Sequence, residues 1–255
     1  MPPISTFQAD ALNVRVYADA TKMAQSAARG VHSYLAELLA KQGSARVILA
    51  SGNSQLLFLD ELIALGGLDW SKVTLFHMDE YLGISADHPA SFCRYMREKV
   101  ESRVHAQAFH YIKGDALEPI RECERYTHLL WESPTDLCMM GIGDNGHLAF
   151  NDPPVADFDD HRAVKIVQLD LGCKQQQVTS GHFPNLESVP PYALTLTVPS
   201  LCAAKRLVIL SPGKRKAVPV RNALRGPIST DCPASILRKQ AHATLLLDTD
   251  AASLL

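Results

Sequence analysis

The stretch Gly141-Ile142-Gly143-Asp144-Asn145-Gly146-His147-Leu148-Ala149-Phe150-Asn151-Asp152-Pro153 decides how this chain is read, because of what precedes it. Residues 135–140, Thr135-Asp136-Leu137-Cys138-Met139-Met140, form an apolar run that predicts a buried strand, so the glycine-rich segment emerges at a strand's carboxyl end. In open α/β sheets that is where ligands sit. Glycines at 141, 143 and 146 permit sharp turns and a close approach of backbone to ligand. His147 and Asp152 are the residue types of an acid/base imidazole and its orienting carboxylate. The segment predicts a site, and its chemistry predicts an enzyme.

Outward from this segment the chain alternates two periodicities. Strands are predicted over 13–18, 46–50, 72–77, 164–169, 192–198, 207–210 and 244–247. Helices are predicted over 19–40, with Asp19 and Thr21 as candidate caps, and over 55–65, 89–102, 115–131 and 214–224. Strands separated by helices of ten or more residues imply parallel pairing, right-handed crossovers and helices on both faces of the sheet. The fold class is therefore α/β, in a single domain spanning 1–255. Segments 153–163 and 171–191, rich in Pro, Asp, Gln and Gly, read as long surface loops and candidate lids.

Composition excludes several classes of partner. With 255 residues, 47% of them hydrophobic and 20% charged, the chain is an ordinary globular protein with one sizeable core. A net charge of -2 gives no field to gather nucleic acid or an anionic membrane, and no apolar run reaches the length of a membrane span. A small, locally charged ligand is the expected partner. The six cysteines form no C-x-x-C pair and read as free thiols, and the first residues lack a secretory pattern. The expected location is the cytoplasm.

Other constellations fall where such a sheet places its ligand. Ser51-Gly52-Asn53-Ser54 separates a strand from a helix, so its backbone N–H groups and hydroxyls suit a phosphate, although a plain serine-capped turn has the same composition. Lys214-Arg215-Lys216 opens a helix, where each cation opposes the macrodipole by roughly 0.3–1 kcal/mol. An anionic ligand would offset that; so would solvation of an exposed basic turn. Met78-Asp79-Glu80-Tyr81 ends a strand with adjacent carboxylates, one of which could abstract a proton beside a carbonyl and either of which could cap the next segment. His77, Asp79 and His147 are metal-donor types, but their spacing matches no ligand pattern, so no metal is expected.

Taken in order, these pieces resemble the glucosamine-6-phosphate deaminase/isomerase family. The resemblance is carried by 49–54, by Phe76-His77-Met78-Asp79-Glu80-Tyr81-Leu82-Gly83 with 87–89 and Ser91-Phe92, by 141–153, by 189–195 and by Lys214-Arg215-Lys216-Ala217. It implies a modified Rossmann-like fold, with no metal or other cofactor, that converts a 2-amino-2-deoxyhexose 6-phosphate to fructose 6-phosphate and ammonia, in amino-sugar catabolism including that of N-acetylglucosamine. It also implies that Asp79 moves a proton between C2 and C1, that His147 opens the ring, and that Asp152 stands where the family has a glutamate orienting the histidine. Ser51, Gly52, Asn53, Ser54 and Lys216 would hold the phosphate, with Glu80 and Gly146 completing the substrate site. Family members are often homo-oligomers.

The chain also departs from the family pattern. Asn145 stands two residues before the histidine where the well-known deaminases have aspartate, and the acid is displaced to Asp144. Asn145 can still orient the imidazole through its amide oxygen but cannot stabilise imidazolium as a charge does, and a rate gain on Asn145→Asp would show that ring opening is limiting. Segment 173–178 lacks the family's phosphate-binding arginine, leaving Lys174 as the substitute. Rival readings are a 6-phosphogluconolactonase-like hydrolase, from the same superfold, and a non-catalytic sugar-phosphate sensor.

Overall fold

Strands buried on both faces consist of near-continuous apolar residues. The central strands of this protein have that character in the computed structural model, which describes residues 2–255, the side chain of Asn53 excepted. Chain order is β1 (Ser5–Ala9), β2 (Leu12–Tyr17), α1 (Ala20–Gln42), β3 (Ala45–Leu49), α2 (Asn53–Ala64), β4 (Val73–His77), β5 (Asp79–Tyr81), α3 (Phe92–Lys99), β6 (Ala108–His110), α4 (Pro119–Trp131), β7 (Leu137–Met140), β8 (Val164–Gln168), α5 (Leu171–Thr179), β9 (Tyr192–Leu196), α6 (Val198–Cys202), β10 (Leu207–Ser211), α7 (Ala217–Arg225) and β11 (Ala243–Asp248).

Eight strands form one sheet in the order β1-β2-β11-β10-β7-β3-β4-β6. All neighbours pair parallel except β1, which joins β2 through a tight hairpin at Asp10 and Ala11. Alternate side chains feed two cores. In β3, Val47 and Leu49 pack with α1 and α2 residues such as Val31, Leu35 and Phe58, while Ile48 packs on the opposite face with Tyr126 of α4, Leu201 of α6 and Val220 of α7. Each such buried side chain contributes about 1.5–3 kcal/mol relative to exposure. Asp19, not Thr21, caps α1, accepting from the Lys22 N–H at 2.8 Å.

The order of strands reverses between β3 and β7: from β3 the chain builds outward through β4 to β6, then returns to β7 and builds the other way. Such a reversal leaves a crevice beyond the carboxyl ends of the two strands. Segments 50–54 and 141–147 both emerge there.

Three features differ most from the sequence reading, which also lacked the short β5, β6 and α6. The strands predicted over 164–169 and 192–198 do not enter the main sheet; β8 and β9 pair antiparallel and, with β5, make a second sheet in the order β5-β9-β8. Periodicity marks a strand but not its partner. The supposed surface loop 171–191 begins with α5, capped by Asp170, whose carboxylate accepts from the Cys173 N–H, and which buries Cys173 and Gln177 one turn apart. A polar run with a single buried stripe carries too little apolar signal to read as helix. Strand β1 was also missed, because its burial is almost entirely exposed and gives no alternation. Segment 153–163 has no helix or strand, and the buried Lys165 ties it down by bonding the Val155 carbonyl at 2.6 Å and pairing with Asp160 at 3.2 Å.

Candidate active site

The β7 turn is built around a ring lying on a glycine. Gly143 donates to the His147 carbonyl at 2.9 Å, folding the imidazole back so that a Cβ on Gly143 would lie 2.1 Å from its Nε2. Only glycine fits there. Gly146, expected at the substrate, has φ +87° and packs against Cys232, 2.6 Å from where its Cβ would stand. It shapes the turn and does not line the cavity.

His147 Nδ1 lies 2.9 Å from Asp152 Oδ1, so aspartate reaches the ring. Burial alone would push the Asp152 carboxyl up, but hydrogen bonds from His147 and Asn145 outweigh it and hold it below its ordinary range. An ionised Asp152 fixes the proton on Nδ1, leaving the Nε2 lone pair to act on a ligand. Asn145 behaves differently from expectation: its amide donates to the same Asp152 oxygen at 2.8 Å, and its own oxygen accepts from the His147 backbone N–H at 3.0 Å. It therefore orients the carboxylate, which in turn orients the imidazole.

Across the crevice, Asp79 begins β5, just past the end of β4, and its buried carboxyl lines the same cavity as His147. Among the described residues nothing hydrogen-bonds to that carboxylate. Burial, reinforced by the neighbouring Glu80, raises its pKa well above the usual carboxylate range. Glu80 points the other way. It accepts from Tyr81 N–H (2.9 Å), the Ser91 hydroxyl (2.6 Å), Phe92 N–H (3.2 Å) and Cys93 N–H (2.9 Å), so it anchors the start of α3 and is not a ligand of the cavity. His77 is also turned away, its Nε2 accepting from Ile112 N–H at 2.8 Å, and burial pushes its pKa down to about 3. Among the described residues no group of three His, Cys, Asp or Glu is placed to hold a metal ion.

The same cavity is also lined by cations and by backbone donors. Ser51, Gly52 and Ser54 line it; Gly52 precedes α2 at φ +127° with no side chain capping the helix. That leaves first-turn N–H groups for an anion. The side chain of Asn53 lies outside the described residues. Lys216, in the short turn before α7, is buried and lines the cavity with Arg215. Burial lowers its pKa and the Asp144 carboxylate, 2.5 Å from Nζ, partly restores it. Lys174 is not among the lining residues, so the guanidinium of Arg215, and not a lysine of 173–178, joins Lys216.

The sequence reading missed the wall opposite. Gln176, Gln177, Ser180 and His182 line the cavity from α5 and the turn after it, and Gln177 Oε1 receives the Tyr81 hydroxyl at 2.6 Å and lies 3.0 Å from His182 Nδ1. A capping Asp170 followed by a polar helix was the available signal.

Comparison with known proteins identifies the family. The family described as glucosamine-6-phosphate isomerases/6-phosphogluconolactonase matches residues 18–246. Glucosamine-6-phosphate deaminase of Lactobacillus delbrueckii subsp. bulgaricus is 32% identical over 86% of this chain and 92% of its own. The Listeria monocytogenes deaminase is 33% identical over 81% of this chain and 86% of its own. Among solved structures, a monomeric glucosamine-6-phosphate deaminase superposes with a TM-score of 0.86 at 32% identity, covering 95% of this chain and 99% of that one. The 6-phosphogluconolactonase of Thermotoga maritima shares the fold, with a TM-score of 0.74 at 20% identity and coverage of 93% and 99%. With residues 18–246 matched, this chain belongs to the family of glucosamine-6-phosphate isomerases and 6-phosphogluconolactonases.

Proposed function

We propose that this protein is a glucosamine-6-phosphate deaminase, converting glucosamine 6-phosphate and water to fructose 6-phosphate and ammonia. The observation that carries the reading is the convergence of Asp79 and His147, from distant segments, on one cavity that Lys216 and the segment opening α2 also line. Two cations and free N–H groups suit a phosphate, and binding energy from that remote group positions the reacting carbons.

The chemistry then follows from the side chains. His147 Nε2 takes the proton of the anomeric hydroxyl and returns one to the ring oxygen, breaking the C1–O5 bond and exposing an aldehyde at C1. Asp79, ionised, removes the C2 proton and, after exchange with solvent, returns a proton to C1, while the C1 oxygen gains the proton that the amino nitrogen gives up, so the aldehyde becomes a hydroxymethyl group. Nitrogen remains on C2, now as an imine. Water adds to C2 and ammonia leaves, giving the 2-ketose. A carboxylate lacking fixed hydrogen bonds keeps its basicity for the carbon acid, which suits Asp79 and not the fully engaged Glu80.

A relative of TM-score 0.86 is described as monomeric, so we take the single chain as the working unit in place of the expected homo-oligomer. Six free cysteines suit a reducing cytoplasm, and ammonia release places the reaction in amino-sugar catabolism. No helix is long and apolar enough to cross a membrane. The test offers glucosamine 6-phosphate and, separately, 6-phosphogluconolactone. Ammonia from the first, with deuterium from solvent appearing at C1 of the product, is the expected result; acid from the second without ammonia from the first overturns the reading in favour of a lactonase, and sugar-phosphate binding with no turnover favours a sensor.

A further inference from the structure

The cations at the phosphate end are not free. Lys216 Nζ is 2.5 Å from Asp144 Oδ1, and Arg215 Nε is 3.7 Å from the same oxygen. Lys216 is buried, and among the described residues Asp144 supplies its one hydrogen-bond acceptor. The Asp144 backbone is itself tied to α5, its N–H donating to Gln176 Oε1 at 3.1 Å, while its side chain is 35% exposed beside the cavity-lining Lys216 and Arg215. Lys214, Arg215 and Lys216 precede α7 at the positive end of its dipole, so an anion at this point offsets an unfavourable arrangement.

We propose that Asp144 is an internal counter-anion for the phosphate end of the cavity, competing with the phosphorylated ligand for Lys216 and Arg215 and so setting how tightly that ligand is held. This rests on the reading that Lys216 receives the phosphate. The order of the pair Asp144-Asn145 gives the geometry its meaning. The acid faces the cations and the amide faces Asp152. Exchanging them would put a carboxylate against Asp152 and a neutral group against Lys216. A phosphate arriving at Lys216 meets a carboxylate within a few ångströms, and the like charges repel unless Asp144 swings toward solvent, which its exposure permits. Affinity for the phosphate group is thereby reduced, while the buried lysine stays paired in the empty site.

Asp144→Asn separates charge from shape, because the amide retains an oxygen for Lys216 and loses the negative charge. The measurements are the Kd of inorganic phosphate by calorimetry, and KM and kcat for glucosamine 6-phosphate, at low and at high salt. D144N is expected to tighten phosphate and to lower KM by about tenfold at low salt, with the ratio shrinking as ionic strength rises. Asp144→Ser, which also removes the charge, should shift phosphate affinity in the same direction. Equal or weaker phosphate binding by both variants overturns the proposal and makes Asp144 an organiser of Lys216 instead. If both variants tighten phosphate but the wild type releases no ammonia from glucosamine 6-phosphate, the deaminase reading falls and the competition stands. Absence of phosphate binding in all three proteins overturns the competition, whatever the ammonia assay gives.

Discussion

Asp79 and Glu80 are consecutive, both buried, and on the same short strand, yet they live in opposite environments. Glu80 receives four donors from Tyr81, Ser91, Phe92 and Cys93 on one face of β5. Asp79, on the other face, opens onto the cavity and receives none among the described residues. In both groups burial pushes the pKa up; for Glu80 the hydrogen bonds pull against it, and for Asp79 nothing does. The pair teaches that a carboxylate left without donors keeps the basicity a general base needs, whereas a fully satisfied one has none to spare.

The sharpest way to break this contrast is to neutralise the unsatisfied member. Asp79→Asn should lower kcat by about 10²–10⁴-fold, the usual contribution of a positioned general base, with sugar-phosphate binding retained in calorimetry. A kcat within a few-fold of wild type would take Asp79 out of the role assigned to it.

Asp152 resembles Glu80 in being held by donors, and that likeness can be tested at Asn145. Replacing the amide by a carboxylate removes the donor 2.8 Å from Asp152 Oδ1 and sets two acids against each other. Asp152 would then be driven toward its protonated form and lose its hold on the His147 Nδ1 proton. Asn145→Asp is therefore expected to lower kcat by about tenfold or more, within the range of a lost general acid/base. The sequence reading took the amide to face the imidazole, and on that reading a gain would mark ring opening as limiting. A gain in kcat would restore that earlier view.

The segment 141–153 was legible because its chemistry demands particular residue types: glycine beneath the His147 ring, glycine at the positive φ of residue 146, and a carboxylate five residues after the histidine. Alternating strand and helix patterns likewise sufficed for the parallel sheet and its two helical faces. The pairing of β8, β9 and β5 was not legible, since alternation specifies a face and not a neighbour. Nor was the division of labour between Asp79 and Glu80. It is decided by donors on α3, eleven and more residues away, which Ser91 and Cys93 bring to Glu80 only after folding. Gln177 and His182 escaped for a similar reason, as the polar helix and the turn after it acquire their meaning from the cavity they line.

A smaller effect probes the satisfied member. Glu80→Gln keeps the volume but removes the charge and presents an amide donor to groups that already donate, so about 1–3 kcal/mol of stability should be lost. For a chain of this size that corresponds to a fall in Tm of roughly 2–4 °C per kcal/mol. At temperatures well below the transition kcat should stay within a few-fold of wild type. A kcat loss rivalling that of D79N, without a change in Tm, would mean that Glu80 acts on the substrate after all.

The smallest expected effect is on stability at Asp79 itself, and its sign follows from the direction of the pKa shift. The folded-state pKa lies well above the unfolded value, so the folded protein holds this proton more tightly than the unfolded chain does. The resulting stabilisation is fully present below the unfolded pKa, about 3.9 for an aspartate, and is lost as pH rises through the raised folded value. At neutral pH, above the unfolded value, the wild type has therefore lost stability that D79N, with no carboxyl to ionise, keeps. The variant should be more stable there, by about 1 kcal/mol or more, with a Tm roughly 2–4 °C higher per kcal/mol. That gap should close as pH is lowered, because the wild-type carboxyl becomes neutral as well. Thermal unfolding of both proteins across pH reads the difference directly. A gap of constant size at every pH would assign the gain to packing, and an inactive variant no more stable than wild type at any pH would show that Asp79 is not strained by its burial.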